Sequence, residues 1–265
     1  MLRQRLVSLL GVCSITGLLV LSCGENAVAQ GVTIETIQRL KRSLVPVVCV
    51  GVNPDSKQAY LISVEGTGFV VADDGSFVTA GHVAKGLFVT GRVPVCAIQA
   101  IYVPRDGWDS SNPDFPLRLI GIQQCWWNDD TDVGICTLKE NPFTVDGITK
   151  KPVVAEFESK PQAEGTAVAF SGFPLQFLQP ITSQGTIGAY RSVVGDNLGP
   201  RDLIVDKNAW PGASGSPVYT DKGMIVGILI QRGFNDASGL AFVRTTPYVQ
   251  KFLADNKTER EKDTK

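Results

Sequence analysis

Short apolar runs, each bounded by turn residues, fill most of the chain between residue 44 and about residue 245. Runs of this kind between Gly, Pro, Asn and Asp are typical of β-strands. In the first half, strands are predicted at residues 47–52, 59–64, 66–71, 77–80, 93–103, 117–127 and 133–138. In the second half, they are predicted at residues 166–171, 185–194, 203–205, 217–219, 224–230 and 240–244. Two sets of about six strands favour two antiparallel β-barrels over one sandwich.

Two helices are predicted outside these strands. Apolar side chains recur at intervals of three and four positions over residues 33–43, which indicates a short amphipathic helix. Near the other end, Thr246 and Pro247 suit the N-cap and first turn of a helix that buries four residues, Tyr248, Val249, Phe252 and Leu253. We therefore predict an all-β fold of two six-stranded antiparallel barrels with a short N-terminal helix and a C-terminal helix.

These patterns divide the chain into six segments. They are a signal peptide (1–29), an N-terminal helix (30–43), the first barrel (44–140), a linker (141–152), the second barrel with the C-terminal helix (153–254) and a disordered tail (255–265). The linker loses the apolar alternation and gains Asn-Pro and Asp-Gly, whereas the tail is highly charged.

The first thirty residues are typical of an export signal. Arg3 and Arg5 precede an uncharged stretch at residues 6–24, and small residues follow near Ala29. We expect cleavage after Ala29. Lipidation at Cys23 is an alternative, because the preceding residues resemble a lipobox, and an uncleaved anchor helix is a third. In each case the globular part lies outside the cytoplasm, secreted or periplasmic, and we expect no membrane span in the mature form.

The charge balance excludes some partners. Lys and Arg number 25 against 26 Asp and Glu, for a formal net charge of −1. This balance would not attract nucleic acid or an anionic membrane, so we expect no nucleic-acid partner. The sequence predicts no oligomeric state.

Four cysteines follow residue 29: Cys49, Cys96, Cys125 and Cys136. An even count in an exported protein favours disulfides, and four cysteines permit three pairings. We expect Cys96 to pair with Cys125, since the two lie in successive strands that would form a hairpin, although buried free thiols are an alternative. With one histidine and no C-x-x-C spacing, we expect no zinc or other metal site.

Three motifs carry candidate chemistry. Ser214 lies in Pro211-Gly212-Ala213-Ser214-Gly215-Ser216-Pro217, where two glycines permit a tight turn that presents a hydroxyl and aims N–H groups at one point. His82, the single histidine, follows an apolar strand in Thr79-Ala80-Gly81-His82-Val83, and its imidazole suits proton transfer near neutral pH. Asp132 opens the strand in Thr131-Asp132-Val133-Gly134, where a carboxylate could orient an imidazole, although Asp129 and Asp130 show that acids are common there.

In the order His82, Asp132 and Ser214, with spacings of 50 and 82 residues, these motifs resemble those of the chymotrypsin-fold, trypsin-like serine endopeptidases, and more closely their bacterial HtrA-like branch. The run Gly66-Thr67-Gly68-Phe69-Val70-Val71, the residues before Ser214 and the later strand segments Val226-Gly227-Ile228 and Gly239-Leu240-Ala241-Phe242 strengthen the resemblance, which covers about residues 44–253. Because only a dozen residues follow Leu253, we expect no PDZ domain.

The resemblance implies a Ser-His-Asp mechanism with an acyl-enzyme intermediate and no cofactor. Ser214 would be the nucleophile, His82 the general base and then acid, and Asp132 the residue that orients the imidazole. The backbone N–H groups of Gly212 and Ser214 would form the oxyanion hole. Where many animal relatives carry an aspartate for zymogen activation, this chain has Ala213, so we expect no such switch.

Polypeptide substrates would bind in extended form along Leu229, Ile230, Gln231 and Arg232. Asn208, six residues before Ser214, is neutral and argues against selection of Lys or Arg, whereas Trp210 would narrow the pocket. A small or medium apolar residue is therefore expected at the cleaved position. The competing hypothesis is a catalytically silent protease-fold module that binds peptides in the same groove.

Overall fold

The structure, a computed structural model, describes residues 31–88, 96–104, 117–144, 152–192, 197–233 and 238–257. The predicted signal peptide therefore lies outside the described residues, as do residues 145–151 of the predicted linker and 258–265 of the predicted tail.

Six strands close the first barrel in the order β1, β2, β3, β6, β5, β4. Their bounds are β1 (Leu44–Val52), β2 (Ala59–Val70), β3 (Phe77–Ala80), β4 (Ile98–Pro104), β5 (Leu117–Asn128) and β6 (Val133–Leu138). The two runs predicted around Glu65 form one strand, β2. Val47 pairs with Gly66 and Val48 with Val64, so Glu65 is the extra residue of a β-bulge.

The second barrel closes where β11 pairs with β12, in the order β11, β8, β9, β10, β13, β12. Its strands are β8 (Ala167–Gly172), β9 (Ile181–Arg191), β10 (Asp202–Asp206), β11 (Pro217–Tyr219), β12 (Met224–Arg232) and β13 (Leu240–Thr245). A short strand that the sequence did not reveal, β7 (Glu156–Phe157), adds to β12 in parallel. The two closed antiparallel barrels confirm the predicted fold class.

The predicted helices are present as α1 (Ile34–Lys41) and α3 (Thr246–Asp255). The N-cap of α3 is Thr245 rather than the predicted Thr246, so the helix begins one residue early. An unpredicted helix, α2 (Gly81–Phe88), follows β3. Within the described ranges, the structure contains no helix with the length and apolar character needed to cross a bilayer.

The α1 helix is held against the second barrel by hydrogen bonds to the turn between β11 and β12. Thr33 N donates to Asp221 Oδ1 at 2.9 Å, and Thr36 Oγ1 donates to Asp221 O at 2.7 Å. Leu40, a residue of α1, is buried. The chain therefore contacts the second barrel before it enters the first.

One apolar cluster joins the two barrels. It includes Val48 and Phe69 from the first barrel and Phe173, Tyr219 and Ile225 from the second barrel and its loops, all of them fully buried. Truncation of a buried aromatic side chain typically costs about 3–5 kcal/mol of folding free energy. The cluster therefore fixes how the barrels sit against each other, and with it the place where their loops meet.

The predicted disulfide between Cys96 and Cys125 is wrong; the structure pairs Cys49 with Cys96 and Cys125 with Cys136. The two strands do form a hairpin, but their pairing begins at Ala100 and Gly121. Beyond that point β5 pairs with β6 alone, where Cys125 lies directly opposite Cys136. Cys96 instead lies beside β1, which pairs with β4.

The register predicts the disulfide map of the folded protein. Mass spectrometry of an unreduced proteolytic digest should recover linked peptides that contain Cys49 with Cys96 and Cys125 with Cys136. Recovery of a peptide that links Cys96 to Cys125 would contradict the end of the β4–β5 pairing described here.

Candidate active site

The register of β3 against β6 places His82 beside Asp132. Ala80 pairs with Val133, so the residues just beyond this pair, Gly81 and Asp132, face each other where the strands end. Gly81 N donates to Asp132 O at 2.9 Å. A Cβ on Gly81 would lie 3.0 Å from the carbonyl carbon of Asp132, so glycine permits this close approach.

The carboxylate of Asp132 is hydrogen-bonded to two groups of His82, the ring Nδ1 and the backbone N. His82 Nδ1 lies 3.0 Å from Oδ2 and 3.1 Å from Oδ1, and His82 N donates to Oδ1 at 2.8 Å. An ionised carboxylate only accepts, so the pair favours the tautomer that donates from Nδ1, in which Nε2 is an acceptor. Asp132 has a φ of +53°, a left-handed conformation that aspartate tolerates better than most residues.

The acids next to Asp132 have different partners. Asp129 receives hydrogen bonds from Lys85 Nζ at 2.7 and 2.9 Å, and Asp130 pairs with Arg201. Both carboxylates are largely exposed, whereas that of Asp132 is 26% exposed. The geometry therefore separates the acid that orients His82 from two acids in surface ion pairs.

Ser214 lies in a loop whose turns require glycine. Gly212 has a φ of +90° and Gly215 a φ of +88°. Backbone hydrogen bonds from Ala213 N to Trp210 O and from Ser216 N to Ala213 O, each 3.0 Å long, close two successive turns around the serine. Within the described part of the chain, the N–H groups of Gly212 and Ser214 have no acceptor.

His82 and Ser214 line the same open cleft, which has a volume of about 290 Å³. Its other lining residues are Ala209, Trp210, Pro211, Leu229, Ile230 and Gln231. Among the described residues, the His82 ring is hydrogen-bonded to Asp132 alone and the Ser214 hydroxyl has no partner. The structure therefore forms the acid and imidazole pair and brings the serine to the same cleft without a hydrogen bond between them.

The structure places four of the six predicted substrate-binding residues in the cleft. Trp210, Leu229, Ile230 and Gln231 line the cleft, and Trp210 is 49% exposed. Asn208 is exposed and is not among the lining residues, and the side chain of the sixth, Arg232, lies outside the described part of the structure. Ile230 falls at a β-bulge, since Leu229 pairs with Val243 and Gln231 with Phe242. Its backbone is therefore outside the regular ladder with β13.

Two residues that were not among the predicted site residues connect β2 to the second barrel through hydrogen bonds. Gln176, in a 3₁₀ turn (Pro174–Gln176), accepts from Val64 N through Oε1 at 2.7 Å and donates to Val64 O through Nε2 at 3.1 Å. Thr67 contacts the Ser214 loop itself. Thr67 lies in the Gly66–Val71 motif, so the sequence offered a signal for it. Nothing local to Gln176 indicates a bond to a residue 112 positions away.

In the described ranges, no three His, Cys, Asp or Glu side chains are grouped so that they could hold a metal ion. The cleft brings together side chains and backbone N–H groups that can act in catalysis. A carboxylate orients an imidazole, a hydroxyl lies in the same cleft, and two N–H groups of the serine loop have no acceptor among the described residues. These are the groups that acyl transfer needs.

Solved structures of known proteins share this fold. The chain is similar in structure to the Rv3671c protease of M. tuberculosis in its active form, with a TM-score of 0.57, 18% identity, and coverage of 83% of this chain and 82% of that chain. It is also similar to the serine endoprotease of Yersinia pestis, with a TM-score of 0.58, 18% identity, and coverage of 83% and 65%. At this low sequence identity, the structural likeness shows a shared fold alone.

No curated protein matches the sequence. A family model described as a trypsin-like peptidase domain matches residues 66–228, which is more than half of the chain and spans all three candidate catalytic residues. The chain therefore belongs to the trypsin-like peptidase family.

Proposed function

We propose that the protein is a serine endopeptidase that cleaves polypeptides through Ser214, His82 and Asp132. The observation that carries the proposal is the Asp132–His82 pair, with Nδ1 3.0 Å from Oδ2, in a cleft that Ser214 also lines. Membership of the trypsin-like peptidases supports it.

The reaction follows from the imidazole tautomer that Asp132 favours. Ser214 Oγ attacks the scissile carbonyl carbon while its proton moves to His82 Nε2, and Asp132 stabilises the imidazolium that forms. The tetrahedral oxyanion accepts hydrogen bonds from the N–H groups of Gly212 and Ser214, which have no other acceptor in the described part of the chain. His82 then protonates the leaving amine, and the remaining acyl-enzyme is hydrolysed by water activated in the same way.

The cleft walls support an extended substrate. On the side of β12 away from β13, pairing with β11 ends at Ile228, and Leu229 then bonds to the loop that carries Ser214. An extended peptide that adds to the edge that follows would lead its scissile bond to Ser214. Trp210 lines the cleft and would narrow the pocket for the side chain at the cleaved position. With Asn208 neutral, we expect small or medium apolar side chains there rather than Lys or Arg.

The protease acts outside the cytoplasm in this proposal. An export signal at residues 1–29, with cleavage after Ala29 or lipidation at Cys23, would carry it there, and two disulfides suit an oxidising compartment. Ala213 cannot form the ion pair of zymogen activation, so the site is assembled when the chain folds.

A second candidate function is a silent peptide-binding module. The observation in its favour is that the Ser214 hydroxyl and the His82 ring are not hydrogen-bonded in this structure. Catalytic hydrogen bonds in unliganded sites are often long and tighten when substrate binds, so the endopeptidase remains the better supported function.

A fluorophosphonate probe separates the two functions. The mature wild-type protein should form a covalent adduct with the probe, and Ser214→Ala should abolish it because, among the described residues that line the cleft with His82, Ser214 alone carries a hydroxyl. His82→Ala is expected to slow labelling strongly while leaving the far-ultraviolet circular dichroism unchanged. Folded wild-type protein that remains unlabelled would support the binding module.

Replacement of Asp132 by Asn should preserve the fold and reduce kcat by about 10⁴-fold, because an amide favours the wrong imidazole tautomer. Asparagine also tolerates the left-handed backbone conformation at this position. Asp129→Asn is the matched control, since its carboxylate pairs with Lys85 at the surface, and it should retain wild-type kcat. Equal losses in the two variants would contradict the assignment of Asp132.

Replacement of Gly212 by Ala should reduce kcat by about 10²- to 10³-fold, the usual cost of one lost oxyanion donor. A Cβ there would lie 2.5 Å from Phe173 O, and a φ of +90° is unfavourable for alanine, so the peptide must rotate. Gly165→Ala, at a φ of +82° with no atom near its Cβ, controls for backbone strain away from the cleft. A wild-type kcat in the Gly212→Ala variant would refute the role of this N–H group.

A further inference from the structure

The Gly66-Thr67-Gly68 segment of β2 belongs to the first barrel, yet it lies against the loop that carries Ser214. Thr67 is fully buried although its side chain is polar. A Cβ on Gly66 would lie 3.1 Å from Ser214 O, and one on Gly215 would overlap Thr67 O. Glycines therefore permit a direct backbone contact between the barrels, and Thr67 lies at its centre.

Thr67 makes three hydrogen bonds to the second barrel. Its backbone N donates to Ser214 O at 2.9 Å, and its Oγ1 donates to Gly212 O at 2.9 Å. The same Oγ1 accepts from Phe173 N at 2.9 Å. Because a hydroxyl has a single proton, the donor is fully used, and its direction is fixed toward the Gly212 carbonyl.

The two peptide planes on either side of Gly212 are each held by one hydrogen bond. Leu175 N donates to Pro211 O at 2.8 Å, and Thr67 Oγ1 donates to Gly212 O. The C=O and N–H groups of a trans peptide point to opposite sides, so the first bond directs the Gly212 N–H away from Leu175. Glycine offers little intrinsic resistance to rotation, so these bonds determine the orientation of the N–H group.

Thr67 also holds the loop that supplies the first of these bonds. Phe173 lies two residues before Leu175, and its N–H is bonded to the Thr67 hydroxyl. Thr67 therefore acts on Gly212 directly, through the carbonyl, and indirectly, through the loop that carries Leu175. Ala213, buried and apolar, offers no ion pair that could hold the loop instead.

We propose that Thr67 is a positioning residue for the oxyanion hole, whose hydroxyl holds the Gly212 N–H in the direction that receives the developing negative charge. The inference rests on the proposed endopeptidase function. Donors of an oxyanion hole accelerate the reaction because they are fixed before the charge develops. Loss of this hydroxyl therefore affects the chemical step rather than substrate binding.

The test compares Thr67→Val, which keeps the shape and removes the hydroxyl, with Thr67→Ser, which keeps the hydroxyl. Active sites are titrated with the fluorophosphonate, and kcat and KM are measured on a short fluorogenic peptide chosen from a cleavage library. Thr67→Val should lower kcat per titrated site by about 10- to 100-fold, part of the usual cost of a lost oxyanion donor, with KM and the pH inflection unchanged. Thr67→Ser should restore most of kcat.

Thr246→Val is the matched control for stability. Thr246 is a buried threonine whose Oγ1 donates to Ile225 O at 2.9 Å, away from the cleft. Its loss should lower the Tm but leave kcat unchanged. If Thr67→Val does not fold, Thr67→Ala removes the same hydroxyl with a smaller side chain. Wild-type kcat in a folded variant without the hydroxyl would overturn the proposal, as would a loss carried by KM alone.

A second readout does not require activity. In ¹⁵N-labelled Ser214→Ala protein, the added Thr67→Val change should shift or broaden the Gly212 amide resonance, whereas Thr67→Ser should leave it near its original position. An unchanged Gly212 resonance in the Val variant would refute the positioning role. If wild-type protein neither labels nor cleaves, the proposed function is wrong, and this measurement still decides the role of Thr67.

Discussion

The structure depends on a backbone contact between the barrels, where β2 lies against the loop that carries Ser214. Thr67 N donates to Ser214 O at 2.9 Å across this contact, and Gly66 and Gly215 leave the space for it. The groups involved are removed from water, where an unpaired backbone group costs about 1–3 kcal/mol. The contact is therefore strongly favoured over any arrangement in which the loop moves away from the first barrel.

This contact connects the parts of the site that lie on different barrels. β2 pairs with β3, which leads directly into His82, and β3 pairs with β6, which begins just after Asp132. The first barrel thus holds the imidazole, the carboxylate and, through β2, the loop of the nucleophile. Because a displacement of about 1 Å between reacting groups can cost about a hundredfold in rate, a rigid junction of this kind is what such chemistry requires.

Local patterns in the sequence were enough to predict the barrels and the three candidate catalytic residues. Apolar runs mark most strands, and His82, Asp132 and Ser214 each lie in a motif next to a strand.

The wrong disulfide and the unpredicted bonds of Gln176 have a common cause. Both depend on where pairing stops and which distant segments meet, as when β5 leaves β4 after Gly121. Short-range periodicity carries no information on such long-range contacts. Helix α2 was missed because two of its eight residues, Gly81 and Gly86, are glycines, which have a low intrinsic helix propensity.

The central claim is that a charged tetrahedral intermediate forms on Ser214 and is held by the Gly212 and Ser214 N–H groups. The most direct measurement is a crystal structure of the mature protein treated with a peptide boronic acid. The account predicts a covalent bond from Ser214 Oγ to boron, with one boronate oxygen about 2.7–3.1 Å from both backbone nitrogens and His82 Nε2 in contact with the adduct. Peptide bound in the cleft without a covalent bond, or a boronate oxygen turned to solvent, would contradict it.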